Sequence, residues 1–282
     1  MNYRHGFHAG NFADVVKHAA LSRIIAHLQT KPAPFRVIDT HAGAGLFDLA
    51  GPEASRTGEW REGIQRLLDA PLSLQARALL ALYLDAVAAF NPSGKLKAYP
   101  GSPLLVREWL RRQDRLIACE LEPQAAAALA ENLGSGARAK AIAIDGWTAL
   151  SAYLPPKERR GLVLIDPPFE APDEFTRLAE AVGQAQRKWT PGIYLLWYPI
   201  KDRSGPDILA KRLKRLGIAK ILRAEVSMSK RPDPNRLNAS GLIIINPPWK
   251  LEQELASLLP VLVDCLSQGQ GSFRLDWLAG EK

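Results

Sequence analysis

Four short apolar runs that end in a carboxylate constrain the fold of this 282-residue chain most strongly. They occupy residues 35–39, 116–120, 140–145 and 161–166, and end at Asp39, Glu120, Asp145 and Asp166. Helical patterns separate them, and further strand-like runs follow at residues 192–197, 219–226 and 241–246. The sequence therefore predicts an α/β sheet of seven strands with helices on both faces. Residues 272–278 are a candidate for one more edge strand.

The loop after the first predicted strand is built of small residues. It runs from Asp39 to Gly45, and its glycines allow backbone N–H groups to approach a ligand closely. The loop is not GxGxxG and no P-loop Gly-Lys-Ser follows, which disfavours a dinucleotide or nucleoside triphosphate site. Ligands of open α/β sheets bind outside the carboxyl ends of the strands, so we expect the four carboxylates and this loop to meet in one crevice.

A long insertion separates the first two strands. A βαβ unit needs only about thirty residues, and the interval between Asp39 and Glu120 is far longer. We predict a small inserted helical subdomain over residues 49–99, with Ser102 as the N-cap of the crossover helix that follows. Residues 1–30 are predicted to be an N-terminal tail and a helix, capped by Asn11, that packs on the domain.

The tetrad Asp166-Pro167-Pro168-Phe169 follows the fourth predicted strand and indicates a chemistry. A planar amino group is a poor nucleophile because its lone pair is delocalised. A carboxylate and a proline carbonyl can accept its two N–H bonds while an aromatic ring stacks on the base, which aligns the nitrogen with an activated methyl group. Consecutive prolines make such a turn rigid. Taken alone, the tetrad is equally compatible with a structural Pro-Pro turn.

Composition disfavours several other classes of protein. Hydrophobic residues form 47% of the chain, which suits one domain over residues 1–282. Neither Cys119 nor Cys265 belongs to a CxxC pair, so a disulfide framework or cysteine zinc site is not expected. No signal-peptide pattern and no run of about 18 apolar residues occurs, which predicts a cytoplasmic protein without a membrane helix. A net charge of +8 favours an anionic partner.

Five segments together resemble one known family. They are residues 3–11, 39–45, 100–103, 166–169 and 246–252. The tetrad resembles the D/N-P-P-Y/F/W signature of amino-group methyltransferases that use S-adenosylmethionine. The whole set is similar to the RlmJ family of bacterial enzymes, which methylate adenine N6 in 23S ribosomal RNA. The resemblance covers essentially the whole chain and implies a Rossmann-like class I methyltransferase fold, with a seven-stranded mixed sheet whose seventh strand is antiparallel.

The resemblance also implies roles for individual residues. Asp166 is the expected proton acceptor, Pro167 and Phe169 complete the catalytic turn, and Tyr3 is expected beside the substrate. The residues implied for S-adenosylmethionine are Lys17, His18, His41, Gly43, Ser102, Glu120, Asp145, Gly146 and Asp166. Glu120 and Asp145 have an independent basis, because acids at these strand ends suit the ribose hydroxyls and the adenine amino group. Whether Asp166 takes the proton or only orients the amine stays open.

Basic and aromatic residues near the crevice are candidates for RNA contacts. Tyr3 and Arg4 belong to the N-terminal tail, and the loop over residues 227–240 carries Lys230, Arg231 and Arg236. The resemblance implies that the partner is 23S ribosomal RNA, and we expect the protein to be a monomer. The five histidines offer no clean tetrahedral set, and methyl transfer from a sulfonium needs no metal, so no metal is expected.

A second segment, Asn246-Pro247-Pro248-Trp249, also fits the methyltransferase signature. An antiparallel seventh strand places Asn246 at the edge opposite Asp166, so we predict a structural turn there. A DNA adenine-N6 methyltransferase and a protein-glutamine N-methyltransferase stay as alternative activities. A catalytically inactive RNA-binding module is a third alternative, but such a module has no need of four carboxylates at strand ends.

Overall fold

The computed structural model describes residues 5–230, 236–267 and 269–281, which form an eight-stranded central sheet. Its strands are β1 (Arg36–Asp39), β4 (Arg115–Glu120), β5 (Ala139–Ala143), β6 (Gly161–Ile165), β7 (Ile193–Pro199), β8 (Ile221–Ser227), β9 (Ala239–Ile245) and β10 (Ser272–Ala279). A separate small sheet pairs β2 (Leu46–Asp48) with β3 (Ala98–Pro100). The order across the large sheet is β10-β8-β9-β7-β6-β1-β4-β5.

Strand directions confirm the predicted α/β class with a mixed sheet. Strands β5, β4, β1, β6 and β7 run parallel, and β9 is antiparallel to both β7 and β8. The predicted number of seven strands is wrong, because β10 adds an eighth by pairing antiparallel with β8. This strand satisfies backbone groups that β8 would otherwise expose along the edge of the sheet.

Helices cover both faces of the sheet. They are α1 (Phe12–Gln29), α2 (Pro52–Thr57), α3 (Arg66–Asp69), α4 (Leu74–Ala89), α5 (Ser102–Trp109), α6 (Pro123–Leu133), α7 (Gly146–Ala152), α8 (Glu174–Lys188), α9 (Ser204–Arg215) and α10 (Leu251–Ser267). A 3-10 turn (His5–Phe7) precedes α1, and a π-helical turn (Arg61–Gln65) precedes α3. Because side chains alternate along β6, Leu162 and Leu164 join the core around α1 and α10, whereas Val163 and Ile165 join the core around α8 and α9.

Helix α1 is buried on nearly all sides, since it packs on the sheet and against α4 and α10. Asn11 caps it as predicted, and its Oδ1 accepts the N–H groups of Ala13 and Asp14 at 2.9 and 3.0 Å. Asp14, Lys17 and His18 are therefore buried as well. Buried polar groups need partners, and the partners of these three residues lie at the active-site edge of the sheet.

The insertion between β1 and β4 holds α2, α3 and α4. Leu80 and Tyr83 of α4 belong to the same buried core as α1, so the insertion packs directly on the domain. Helix α4 begins after Ser73, whose Oγ accepts the N–H of Ala76 at 3.2 Å. The division of the chain into a tail and helix over residues 1–30 and a subdomain over residues 49–99 stays a prediction.

Helix α5 begins differently from the prediction. Gly101, and not Ser102, occupies the N-cap position, and Ser102 is the first helical residue. The Ser102 hydroxyl donates to Oδ2 of Asp39 at 2.6 Å. The prediction is wrong because a buried carboxylate, which sequence spacing does not reveal, takes the hydroxyl that would otherwise cap the helix.

Candidate active site

A cavity of about 730 Å³ lies at the edge of the sheet where the parallel strands end. Glu120, Asp145 and Asp166, which end or follow β4, β5 and β6, line this cavity. Asp39, at the end of β1, is fully buried behind the cavity wall. The predicted convergence therefore holds for three of the four strand-end carboxylates.

The carboxyl group of Asp39, at the end of β1, is hydrogen-bonded to the first residue of α5 and has a raised pKa. Its Oδ2 accepts the Ser102 hydroxyl, and Oδ1 has no hydrogen-bond partner within the described ranges. Burial raises the pKa of Asp39 to about 7, while the Ser102 hydrogen bond acts in the opposite direction. Asp39 thus supports the loop and the start of α5 from behind and does not contribute a surface of the cavity.

The loop after β1 is held by Glu120. Oε2 of Glu120 accepts the N–H of Gly43 at 2.8 Å, and Oε1 accepts the N–H groups of Leu121 and Glu122, each at 2.8 Å. Gly43 has a φ of +61°, which favours glycine at this turn. Glu120 is therefore oriented by backbone donors on both oxygens, and Oε2, which accepts only one of them, keeps a lone pair for a ligand hydroxyl.

His41 lies in the same loop with a defined tautomer. The Thr40 hydroxyl donates its one proton to the carbonyl of Leu164 at 3.0 Å, so Nδ1–H of His41 donates to that hydroxyl at 2.8 Å. Burial lowers the pKa of His41 to about 4, which keeps the ring neutral near pH 7. Nε2 of His41 is consequently a hydrogen-bond acceptor in the cavity wall.

The start of α7 forms a further part of the wall. Oδ2 of Asp145 caps this helix by accepting the N–H of Thr148 at 2.9 Å. A Cβ on Gly146 would lie 2.7 Å from Nε2 of His41, so only glycine permits this close approach. Trp147 packs edge-on against His41 with ring centroids 5.1 Å apart, and the Arg177 guanidinium lies 4.9 Å above the Trp147 ring.

A buried charged chain reaches Asp166 from α1. Nζ of Lys17 lies 2.5 Å from Oδ2 of Asp166 and 2.8 Å from Oδ1 of Asp14. Oδ2 of Asp14 lies 3.0 Å from Nε2 of His5 and accepts the N–H of Gly10 at 2.9 Å. The catalytic candidate is thus paired with a lysine that sequence analysis implied only as a cofactor contact.

The tetrad after β6 is divided between the cavity and the core. Asp166 and Pro168 line the cavity, whereas Pro167 is buried. Phe169 is half-buried and packs against Phe175 and Trp197, with ring centroids 4.8 and 5.9 Å apart. The aromatic ring of the signature is therefore fixed beside the cavity by other aromatic rings and is not part of its wall.

Comparisons with known proteins agree with this architecture. A family model described as "Ribosomal RNA large subunit methyltransferase D, RlmJ" matches residues 32–279. The chain is 42% identical to the ribosomal RNA large subunit methyltransferase J of Escherichia coli K12 and 38% identical to that of Haemophilus influenzae, over the full length of each protein. The chain belongs to the RlmJ family of ribosomal RNA large subunit methyltransferases.

A solved structure supports the fold of this RlmJ-family chain. Protein LPL1258 from Legionella pneumophila superposes with a TM-score of 0.88 at 32% sequence identity, over 98% of this chain and 99% of that protein. The match includes the insertion and the N-terminal helix, because almost the entire length of both chains is covered.

All nine residues that the family resemblance implied for the cofactor line the cavity. Several further residues of the RlmJ-family site were missed. Asp14 holds Lys17, and Trp147 and Arg177 line the cavity. His5 and Thr40 line it too, but they belong to the N-terminal tail and the loop that were predicted to lie there. Trp147 had a usable signal, since it directly follows Asp145 and Gly146. Arg177 had none, because no local pattern shows which residue of α8 faces the cavity.

The candidate RNA residues are only partly placed. Tyr3, Arg4 and Arg231 lie outside the described residues. Lys230 is exposed, and Nη2 of Arg236 lies 2.8 Å from Oε2 of Glu62 in the insertion. Arg236 thereby contacts the insertion of this RlmJ-family protein, and its charge is already paired with that of Glu62.

The second signature-like segment lies at the opposite edge of the sheet, as predicted. Asn246 follows the antiparallel strand β9 and lines a different groove. Its Nδ2 donates to the carbonyls of Thr190 and Gly192 at 2.7 and 2.8 Å, and its φ of +52° lies in the left-handed region. Asn246 therefore closes a structural turn.

In the described part of the chain, no cluster of three or more His, Cys, Asp or Glu residues has the arrangement of a metal site. No helix within the same ranges is long and apolar enough to cross a membrane.

Proposed function

We propose that this protein transfers a methyl group from S-adenosylmethionine to the N6 amino group of an adenine in 23S ribosomal RNA. The observation that carries the proposal is the position of Asp166, which follows β6, lines the cavity and is held by Lys17 at 2.5 Å. Membership of the RlmJ family supports the ribosomal RNA substrate and the methyl transfer. Such an enzyme works in the cytoplasm, and we expect it to act as a monomer.

The cavity wall suits S-adenosylmethionine. Oε2 of Glu120 keeps an acceptor site for a ribose hydroxyl, and Oδ1 of Asp145 is the acceptor for the adenine amino group, since Oδ2 caps α7. Nε2 of His18 is a buried polar atom without a protein partner among the described residues, as expected where a ligand completes the hydrogen bonding. The other proposed cofactor residues are Lys17, His41, Gly43, Ser102, Gly146 and Asp166.

The chemistry requires alignment more than a strong base. The cofactor supplies a methyl group that its sulfonium already makes electrophilic. Asp166 accepts one N–H bond of the target amine, and its ion pair with Lys17 fixes the carboxylate orientation. The carbonyl of Pro167 accepts the second N–H bond. The carbonyl of Pro168 already accepts the N–H of Glu170 at 3.0 Å, whereas no hydrogen bond among the described residues uses the Pro167 carbonyl.

The target base and its strand meet the outer part of the site. Phe169 provides the aromatic surface at the base, and its packing against Phe175 and Trp197 fixes its ring. Tyr3 completes the catalytic set and, with Arg4, belongs to the N-terminal tail on the substrate side. Lys230, Arg231 and Arg236 contact RNA phosphates, which suits an adenine that is flipped out of its stack.

Methyl transfer to different substrates tests this function directly. The purified protein is incubated with methyl-labelled S-adenosylmethionine and, in parallel, with unmodified 23S ribosomal RNA, adenine-containing duplex DNA and unmodified protein extract. We expect label in RNA alone, recovered as N6-methyladenine, and none with the matched Asp166→Asn variant. Label only in DNA or only in protein-glutamine would reject the proposal in favour of one alternative, and binding of RNA without any transfer would reject enzymatic activity.

A further inference from the structure

Two tyrosines that do not line the cavity form a hydrogen-bonded chain with His18, one of the proposed cofactor-binding residues. Nδ1 of His18 lies 2.7 Å from the hydroxyl of Tyr99, and that hydroxyl lies 2.8 Å from the hydroxyl of Tyr83. Tyr83 and Tyr99 are fully buried, and His18 is 1% exposed. His18 belongs to the cavity wall, whereas neither tyrosine does. One end of this buried hydrogen-bonded chain, His18, therefore reaches the cavity, and the other end, Tyr83, does not.

The direction of this chain determines which nitrogen of His18 carries the proton. Burial lowers the pKa of His18 to about 3, so the neutral ring has one N–H group. If Nδ1 carried it, Tyr99 would accept from His18 and donate to Tyr83. The Tyr83 proton would then have no acceptor among the described residues, and no ligand in the cavity could reach it. Leaving such a donor unpaired is unfavourable.

The opposite direction satisfies both hydroxyl donors. Tyr83 donates to Tyr99, and Tyr99 donates to Nδ1 of His18. The ring proton then lies on Nε2, which has no protein partner in the described ranges. A ligand atom that meets Nε2 must therefore be an acceptor, which excludes the ammonium and sulfonium groups of S-adenosylmethionine.

We propose that Tyr99 is a positioning residue that holds His18 as the Nε2–H tautomer, and that Nε2–H donates to the carboxylate of bound S-adenosylmethionine. The inference rests on the proposed function, because it requires this cofactor in the cavity. Asp145 and Glu120 lie at the strand ends that suit the adenine and ribose, whereas Lys17 of α1 contacts Asp166, the proposed acceptor of the target amine. We therefore place the methionine end of the cofactor beside α1 and His18. A carboxylate is the strongest acceptor there. Tyr83 supports the direction of the chain without being needed for the tautomer.

Two matched tyrosine variants separate this role from a structural one. Tyr99→Phe and Tyr83→Phe each remove one fully buried hydroxyl from the same cluster. In Tyr83→Phe, Tyr99 can still donate only to His18, so we expect the Kd for S-adenosylmethionine, measured by calorimetry, to stay within about twofold. In Tyr99→Phe, the tautomer is no longer held, and we expect a Kd roughly tenfold higher. For decarboxylated S-adenosylmethionine we expect equal Kd values in all three proteins.

A double variant and a spectrum complete the test. Glutamine at position 18 supplies an amide donor that does not depend on Tyr99, so His18→Gln/Tyr99→Phe should bind within about twofold of His18→Gln. Long-range 1H–15N correlation spectra of the wild type, with His18→Gln to identify the signal, should place the ring proton on Nε2. Equal effects of the two tyrosine variants, or a proton on Nδ1, would overturn the inference. Failure of the wild type to bind S-adenosylmethionine would instead overturn the proposed function.

Discussion

Lys17 connects Asp166 to Asp14, because its Nζ lies 2.5 Å from Oδ2 of the first and 2.8 Å from Oδ1 of the second. Burial by itself lowers the pKa of Lys17, but the two carboxylates outweigh it and the pKa is raised. Burial likewise raises the pKa of Asp14, and the charges of His5 and Lys17 outweigh it, so this pKa is well below its usual range. The ion pairs of Lys17 with Asp14 and Asp166 thus orient the Asp166 carboxylate toward the amine in the proposed reaction.

Replacing Asp166 should remove methyl transfer and largely spare cofactor binding. Asp166→Asn keeps the shape of the side chain but loses the acceptor charge, and we expect the rate to fall by on the order of a hundredfold or more. Asp166→Ala should abolish transfer. In both variants the Kd for S-adenosylmethionine should stay within a few fold of the wild type. Substantial turnover by Asp166→Ala in a single-turnover assay would exclude Asp166 as the key group.

Replacing Lys17 should destabilise the protein through Asp14. Lys17→Met leaves the buried Asp14 carboxylate without its ammonium partner, so we expect a loss of about 3–5 kcal/mol in the free energy of unfolding. Lys17→Met/Asp14→Asn removes both charges and should recover most of this loss. Urea unfolding measures both values. An equally unstable double variant would contradict the idea that the uncompensated charge is the cause.

Replacing Asn246 should affect folding and not catalysis. Asn246→Ala loses two hydrogen bonds to Thr190 and Gly192, and at a φ of +52° it replaces asparagine with alanine, which tolerates the left-handed region less well. We expect a loss of about 1–3 kcal/mol in unfolding free energy, with an unchanged methylation rate per folded molecule. Asn246→Asp, which retains the shape but not the donor, is the matched control. A rate that falls in proportion to Asp166→Asn would mean that this turn belongs to the active site.

Replacing Lys230 should weaken RNA binding in a salt-dependent way. Lys230 is exposed, and we expect Lys230→Ala to reduce the slope of log affinity against log salt by about 0.7–0.9, the contribution of one phosphate contact. Arg236→Ala should have a smaller effect, because Arg236 is paired with Glu62. Lys250→Ala removes the same charge beside Trp249 at the opposite edge and serves as the control. Equal slopes for Lys230→Ala and Lys250→Ala would rule out a specific contact.

His18 should contribute to the loss of stability in acid. Burial lowers its pKa from 6.5 to about 3, so the unfolded chain binds a proton below pH 6.5 while the folded protein does not. The contribution of His18 to the free energy of unfolding is fully present above pH 6.5. It falls as the pH falls, and at pH 5 it is lower by about 2 kcal/mol. His18→Gln should lose less stability than the wild type between pH 7.5 and pH 5 in urea unfolding.

His8 offers a control of opposite sign. Its hydrogen bond to Glu59 raises its pKa, so its contribution is present at low pH and is lost as the pH rises. His8→Gln should therefore lose more stability relative to the wild type at pH 5 than at pH 7.5. If the difference in unfolding free energy from the wild type changed with pH in the same direction for both variants, the shifted pKa values of His18 and His8 could not be the cause.

Sequence patterns within a few residues predicted the strands and the helix start that depend on interactions between near neighbours in the chain. Apolar runs marked β1, β4, β5 and β6 with the acids at their ends, and Asn11 marked the start of α1. The errors have physical causes as well. Ser102 does not cap α5 because Asp39 takes its hydroxyl, and the strand count changed because β10 covers the edge of β8.

By itself, the sequence determined the class of fold, the edge of the sheet that carries the chemistry and the acids that end its strands, because periodicity and strand-end residues act over a few positions. Only the tertiary structure decided that Lys17 pairs with Asp166, 149 residues away, and that Tyr99 of β3, which is hydrogen-bonded to Tyr83 of α4, contacts His18. These contacts depend on how α1 is buried between the sheet and α4. A buried polar group needs a hydrogen-bond or charge partner, and no local sequence pattern shows which distant residue is that partner.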